Sequence, residues 1–163
     1  SEPGHGSVFT VLLPLAASPA DAAPARQALP VPSVRPAAAT VLVAEDEPAV
    51  RELVVAALER AGYTVLGASE GSEALALAHR HEGPIDLLLT DIVMPGMSGR
   101  ELAGRLTAER PGLPVLYTSG YPAGALDSED VSAPGAGFLP KPFTLDELAA
   151  AVAEAIAAGS PVA

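Results

Sequence analysis

From Thr40 to the end of the chain, short apolar runs alternate with stretches of helical periodicity, and few folds accept that alternation. Thr40–Ala44 is a β-branched run. Pro48 suits the first position of a helix. Val50, Leu53, Val54, Ala57, Leu58 and Ala61 then recur at helical spacing, and Gly62 ends the repeat. Tyr63–Ala68 reads as a second strand and Glu70–Arg80 as a second helix, with Leu75 and Ala78 facing inward. Ile85–Thr90 is nearly continuous in apolar residues, as in a parallel strand covered on both faces. Ser98 and Glu101 form a capping box for a third helix, and Pro114–Thr118 and Ala136–Pro140 read as the last two strands. Thr144 with Glu147 is another capping box, and Phe143 with Leu148 its hydrophobic staple. Leu145, Leu148, Val152 and Ile156 form one stripe on the final helix. Five such units predict an α/β fold, a doubly wound five-stranded parallel sheet with right-handed crossovers.

The preceding residues have a different character. Residues 1–16 read as a turn and one short strand, which cannot bury its face alone. Residues 17–39 hold five prolines and nine alanines, a linker composition expected to be extended and mobile. Residues 40–158 form the folded domain, and 159–163 a tail. The absence of methionine at Ser1 points to a piece of a longer protein. The core must be aliphatic, since 49% of the 163 residues are hydrophobic but only 4% aromatic. A formal net charge of −11 argues against nucleic-acid binding. The lack of cysteine excludes disulfides and thiolate metal sites. No apolar run reaches membrane-spanning length and no signal peptide is visible, so a cytoplasmic location without membrane contact is expected.

The polar residues at the strand ends carry the chemistry. Glu45 and Asp46 follow the first strand, Asp91 the third, Ser119 the fourth and Lys141 the fifth. In a doubly wound sheet these ends share one rim. Two carboxylates about 4 Å apart repel by ~4 kcal/mol at an effective dielectric near 20. Either one stays protonated or a dication neutralises the group. An all-oxygen donor set suits a hard ion, most naturally Mg²⁺. Singly, each residue has a plainer reading: Asp91 a turn residue, Glu45 and Asp46 a solvated helix start, Lys141 a surface lysine, Ser119 a turn, Phe138 core. His79 and His81 read as solvated residues at a polar helix end.

Four segments together resemble the receiver domain of two-component response regulators. They are Val41-Leu42-Val43-Ala44-Glu45-Asp46-Glu47, Leu87-Leu88-Leu89-Thr90-Asp91-Ile92-Val93-Met94-Pro95-Gly96-Met97-Ser98-Gly99, Tyr117-Thr118-Ser119-Gly120 and Phe138-Leu139-Pro140-Lys141-Pro142-Phe143. The resemblance implies a flavodoxin-like receiver fold with strand order 2-1-3-4-5. It implies that Asp91 accepts a phosphoryl group from a phosphohistidine. Asp46 and Asp91 would ligate Mg²⁺, with Glu45 acting through water and the Val93 carbonyl as a further ligand. Ser119 and Lys141 would contact the phosphoryl group, Ser119 and Phe138 would form the switch, and the Lys141-Pro142 bond would be cis. Val93 and Tyr121 would flank the path of hydrolytic water; neither orients a water, so slow self-dephosphorylation is expected. Tyr121–Pro134, with Pro122, Gly124 and Pro134, would be a short or irregular helix.

The segment Ser1-Glu2-Pro3-Gly4-His5-Gly6-Ser7-Val8-Phe9-Thr10-Val11-Leu12-Leu13-Pro14 is similar to the closing strand of the ATP-binding domain of histidine kinases. It implies a hybrid histidine kinase as parent, with the phosphohistidine (dimerisation) domain of that parent or a histidine phosphotransfer protein as partner. The fragment itself would catalyse only its own phosphorylation and dephosphorylation. Two alternatives stand beside this one: a freestanding response regulator, and a degenerate receiver serving only as a protein-interaction module. The first 16 residues argue against the former, and the intact set Glu45, Asp46, Asp91, Ser119 and Lys141 against the latter. An aspartyl phosphatase would want an acid where Val93 stands, and a flavin protein a hydroxyl- and glycine-rich loop where Glu45-Asp46-Glu47 stands.

Overall fold

The computed structural model describes residues 39–120 and 136–159. The expectations for residues 1–38, for Tyr121–Pro134 and for 160–163 lie outside the described residues. Within them the chain runs β1(Thr40–Ala44), α1(Pro48–Ala61), β2(Thr64–Ala68), α2(Gly71–Arg80), β3(Leu87–Asp91), α3(Gly99–Glu109), β4(Val115–Ser119), β5(Ala136–Pro140) and α4(Leu145–Gly159). The five strands form one parallel sheet in the order β2-β1-β3-β4-β5.

Every residue of β1, β3 and β4 is buried, whereas the edge strands β2 and β5 are partly exposed. Alternate side chains enter opposite layers. Leu42, Leu88, Val115 and Tyr117 pack with Leu102 and Leu106 of α3 and Ala74 and Ala78 of α2. Val41, Val43, Leu87, Leu89 and Leu116 pack with Val54 and Leu58 of α1 and Leu148 and Val152 of α4. Two covered faces explain why the central strands read as unbroken apolar runs. Each fully buried leucine or valine contributes about 1.5–3 kcal/mol of transfer free energy. The largest fully buried side chains are leucines, led by Leu42, Leu58 and Leu87, so the core is aliphatic as the composition requires.

Several boundaries move. Ala39, assigned to the linker, is buried, and its carbonyl accepts from the Thr64 amide at 3.0 Å. Gly159, assigned to the tail, closes α4. The third strand begins at Leu87 rather than Ile85, because Asp86 turns its carboxylate to the Thr40 amide at 2.7 Å and donates its own amide to the Thr40 carbonyl at 2.8 Å. Leu53 and Leu145 were placed in apolar stripes but are 54% and 42% exposed. Leu53 lies at the margin of the α1 stripe, and Leu145 is the first residue of α4, where the stripe overruns its partner layer.

The helix ends follow local chemistry. Gly62 takes φ 97° and donates to the Leu58 and Glu59 carbonyls, a left-handed cap that favours glycine. The Thr144–Glu147 box is complete: the Thr144 amide meets Glu147 Oε2 at 2.8 Å, and the Glu147 amide meets Thr144 Oγ1 at 3.2 Å. At α3 only half the box forms. Ser98 Oγ accepts from the Glu101 amide at 3.2 Å, but the Glu101 carboxylate turns outward to Arg105 at 2.6 Å. His79 lies on the surface as expected, paired with Glu109 at 2.7 Å.

Candidate functional site

Parallel register brings the polar strand ends to one edge. Ala44 lies beside Thr90, Asp91 beside Thr118, and Ser119 beside Pro140. Glu45, Asp91 and Lys141, far apart in sequence, therefore emerge together at the carboxyl end of the sheet, where open α/β folds place their ligands. Asp91 is the last residue of β3, with its backbone inside the ladder and its carboxylate at the rim.

Lys141 is the centre of the arrangement. Its Nζ donates to Asp91 Oδ2 at 2.6 Å and to both Glu45 oxygens, at 2.9 and 2.7 Å. Its backbone amide donates to the Ser119 carbonyl at 2.8 Å. The other Asp91 oxygen, Oδ1, accepts from the Val93 amide at 3.0 Å. The Lys141-Pro142 bond is cis, as the resemblance implied.

Glu45 and Asp91 are 4% and 9% exposed, while Asp46 stands in solvent. One carboxylate oxygen from each of Glu45, Asp46 and Asp91 lies within 4.8 Å of the others. A pocket of three hard oxygen donors, with a single ammonium beside two of them, fits Mg²⁺ in donor chemistry and in charge. Burial pushes the Glu45 carboxyl above the usual carboxylate range, and the Asp91 charge adds to this; the bonds from Lys141 oppose it without cancelling it. For Lys141, burial disfavours the charge, but its bonds to Asp91 and Glu45 outweigh that cost and hold its pKa above the ordinary lysine value.

Ser119 is buried at the end of β4. Phe138 is half-buried in β5, beside Tyr117, against the α2–α3 layer. Val93 is 60% exposed, and Tyr121 lies outside the described residues. Reading the sequence did not single out Gly99 for a role here. A Cβ at Gly99 would stand 2.0 Å from the Asp91 carbonyl oxygen and 2.7 Å from Thr90 Oγ1, so glycine alone lets α3 start against the end of β3. The only sequence signal is a glycine at the start of a helix, which is common for other reasons.

This fold, with an acidic rim at the carboxyl end of its sheet, is that of an open α/β domain, and the response regulator receiver domain family matches residues 41–153. The chain belongs to that family, and it is a receiver domain of two-component systems. It is 38% identical over 159 residues to the sensor kinase CckA of Brucella abortus, a match covering 94% of this chain and 17% of the relative. The chain thus spans about a sixth of that relative's length. The receiver domain from the hybrid histidine kinase CckA has a TM-score of 0.61 and 37% identity, over 72% of this chain and 98% of that one. Thermotoga maritima TrrA, solved in complex with Mg²⁺-BeF, has a TM-score of 0.63 and 32% identity, over 72% and 98%. Receiver domains bind Mg²⁺ through acidic residues and interact with histidine kinases or phosphotransfer partners. Among the described residues no helix is long and apolar enough to cross a membrane.

Proposed function

We propose that this receiver takes a phosphoryl group from a phosphohistidine onto Asp91, and that its parent is a hybrid histidine kinase. The carrying observation is the 2.6 Å contact between Lys141 Nζ and Asp91 Oδ2 within a group of three carboxylates. A carboxylate serves directly as the nucleophile, without a general base. An Asp91 oxygen forms a bond to phosphorus as the P–N bond to the donor imidazole breaks. The electron pair leaves with the imidazole nitrogen, which takes up a proton.

Lys141 is placed to neutralise charge on the transferred oxygens. Asp46 and Asp91 would hold Mg²⁺, with Glu45 in support and the Val93 carbonyl as a further ligand. When bound, the ion supplies further neutralisation of the phosphoryl oxygens. Ser119 and Phe138 take the switch roles, moving after transfer to bias a two-state loop. The kinase origin is supported by the extent of the similarity to CckA, since 94% of this chain cannot fit within residues 40–163. The upstream segment is thus read as the end of a kinase ATP-binding domain. The donor is the phosphohistidine domain of the parent or a phosphotransfer protein.

The test is incubation with acetyl phosphate, with Mg²⁺ or with chelator, followed by intact mass. One phosphoryl adduct is expected with Mg²⁺ and little or none with chelator. Absence of any adduct, together with no transfer from a phosphorylated kinase core, would sink the proposal.

The same site bears on lifetime. Val93 presents an exposed apolar side chain two residues after Asp91, where it can neither accept from nor donate to an attacking water. Phosphorylated wild type is therefore expected to decay more slowly than phosphorylated Val93→Asn and Tyr121→Glu. Equal or faster decay of the wild type, followed by loss of the mass adduct, would remove Val93 and Tyr121 from this role.

A further inference from the structure

Arg51 stands where its charge has two reasons not to be. It lies in the first turn of α1, a helix with no acidic residue in that turn and no side-chain cap bond from Glu47. A cation there opposes the positive end of the helix dipole. It also lies beside the acidic loop read above as the Mg²⁺ site, where a positive charge works against binding a dication. What it gains is backbone contact. Arg51 Nη1 donates to the Glu45 carbonyl at 2.7 Å and makes a longer contact of 3.4 Å to the Asp46 carbonyl.

These contacts complete the fixation of Glu45. Its amide donates to the Ala68 carbonyl of β2 at 3.1 Å, its carboxylate is held by Lys141, and its carbonyl is held by Arg51. Asp46 follows immediately, is exposed, and has no fold-wide packing to set its direction. The Arg51 contacts to its carbonyl and to that of its neighbour restrain the peptide from which the Asp46 carboxylate projects.

We infer that Arg51 is a positioning residue: it clamps the Glu45–Asp46 backbone so that the Asp46 carboxylate faces Asp91, and Mg²⁺ affinity depends on that clamp. This rests on the reading of Glu45, Asp46 and Asp91 as the Mg²⁺ site. Clamp and charge predict opposite signs. If Arg51 mattered only as a charge, removing it would tighten Mg²⁺ binding and lysine would be neutral. As a clamp, Arg51→Met loosens the loop and weakens binding despite the loss of a repelling charge. Arg51→Lys keeps the charge, loses the forked donor geometry, and falls between wild type and Arg51→Met.

The experiment is calorimetric titration of the full chain with MgCl₂ alone, for wild type, Arg51→Met and Arg51→Lys, alongside melts in chelator. Loss of about 10-fold in affinity is expected for Arg51→Met, as for groups that orient metal ligands. Its melting temperature in chelator should stay near wild type, since a merely structural residue would show its effect there. If Arg51→Met does not fold, an Arg51→Lys affinity below wild type supports the clamp and an unchanged one overturns it. Equal or tighter Mg²⁺ binding by Arg51→Met overturns the inference while leaving the site reading intact. Failure of the wild type to bind Mg²⁺ overturns the site reading, and the inference with it.

Discussion

Asparagine at position 91 is expected to abolish phosphoryl uptake while leaving the domain folded. The amide has the shape of the carboxylate but not its anionic nucleophile. It also has one acceptor oxygen where Asp91 uses two, one for the Val93 amide and one for Lys141. The oxygen should turn to the ammonium, the stronger donor, and the Val93 bond should be lost at a cost of about 1 kcal/mol. Removal of a like charge beside Glu45 offsets part of that loss. The folded population should therefore change little, and the intact mass after acetyl phosphate and Mg²⁺ should show no adduct. An adduct on Asp91→Asn at the wild-type rate would mean that another group accepts the phosphoryl.

Lys141→Met should have the largest effect on stability. Lys141 is the cation shared by Glu45 and Asp91, which are both nearly buried. Truncating one partner of a buried ion pair leaves an uncompensated charge, here two, and the remaining solvent access reduces the cost to about 2–4 kcal/mol. Glu45 limits the damage further, since burial already favours its protonated form. Against a typical domain stability of about 5–15 kcal/mol, this should lower the melting temperature in chelator by on the order of 10 °C. Millimolar Mg²⁺ replaces the missing positive charge and should raise the melting temperature of the variant more than that of wild type. A variant that melts with wild type in chelator would show that Lys141 is not bound to both acids in solution.

Repetition and local chemistry made most of the fold legible. The β/α alternation, the glycine cap after α1 and the Thr144–Glu147 box each depend on residues a few positions apart, and among the described residues each formed as read. The misplaced boundaries depend on longer range. Asp86 leaves the third strand because of a bond to Thr40, 46 residues away, which no local pattern records. Leu53 is apolar at an acceptable helical position, and only the width of the packed layer decides that it stays outside. The site was legible as residue types at strand ends, not as geometry. That Lys141 would take both oxygens of Glu45 depends on a separation of 96 residues closed by the sheet. Gly99 and Arg51 are further from reach, since their roles depend on atoms at the end of β3 and in the loop after β1, brought near them only by the fold.

Lys141 is bonded at both its tip and its root, and this has a mechanical consequence. Its ammonium holds the ends of β1 and β3, while its amide holds the last carbonyl of β4. A new phosphoryl oxygen that draws the ammonium toward it loads a lever whose fulcrum is that amide. Displacement at the acids would thus be delivered to the end of β4, the strand next to the sheet edge. Phosphorylation should change the amide hydrogen-exchange rate of Lys141 more than that of Leu42 in the interior of β1; an equal response at both would mean that the lever is slack.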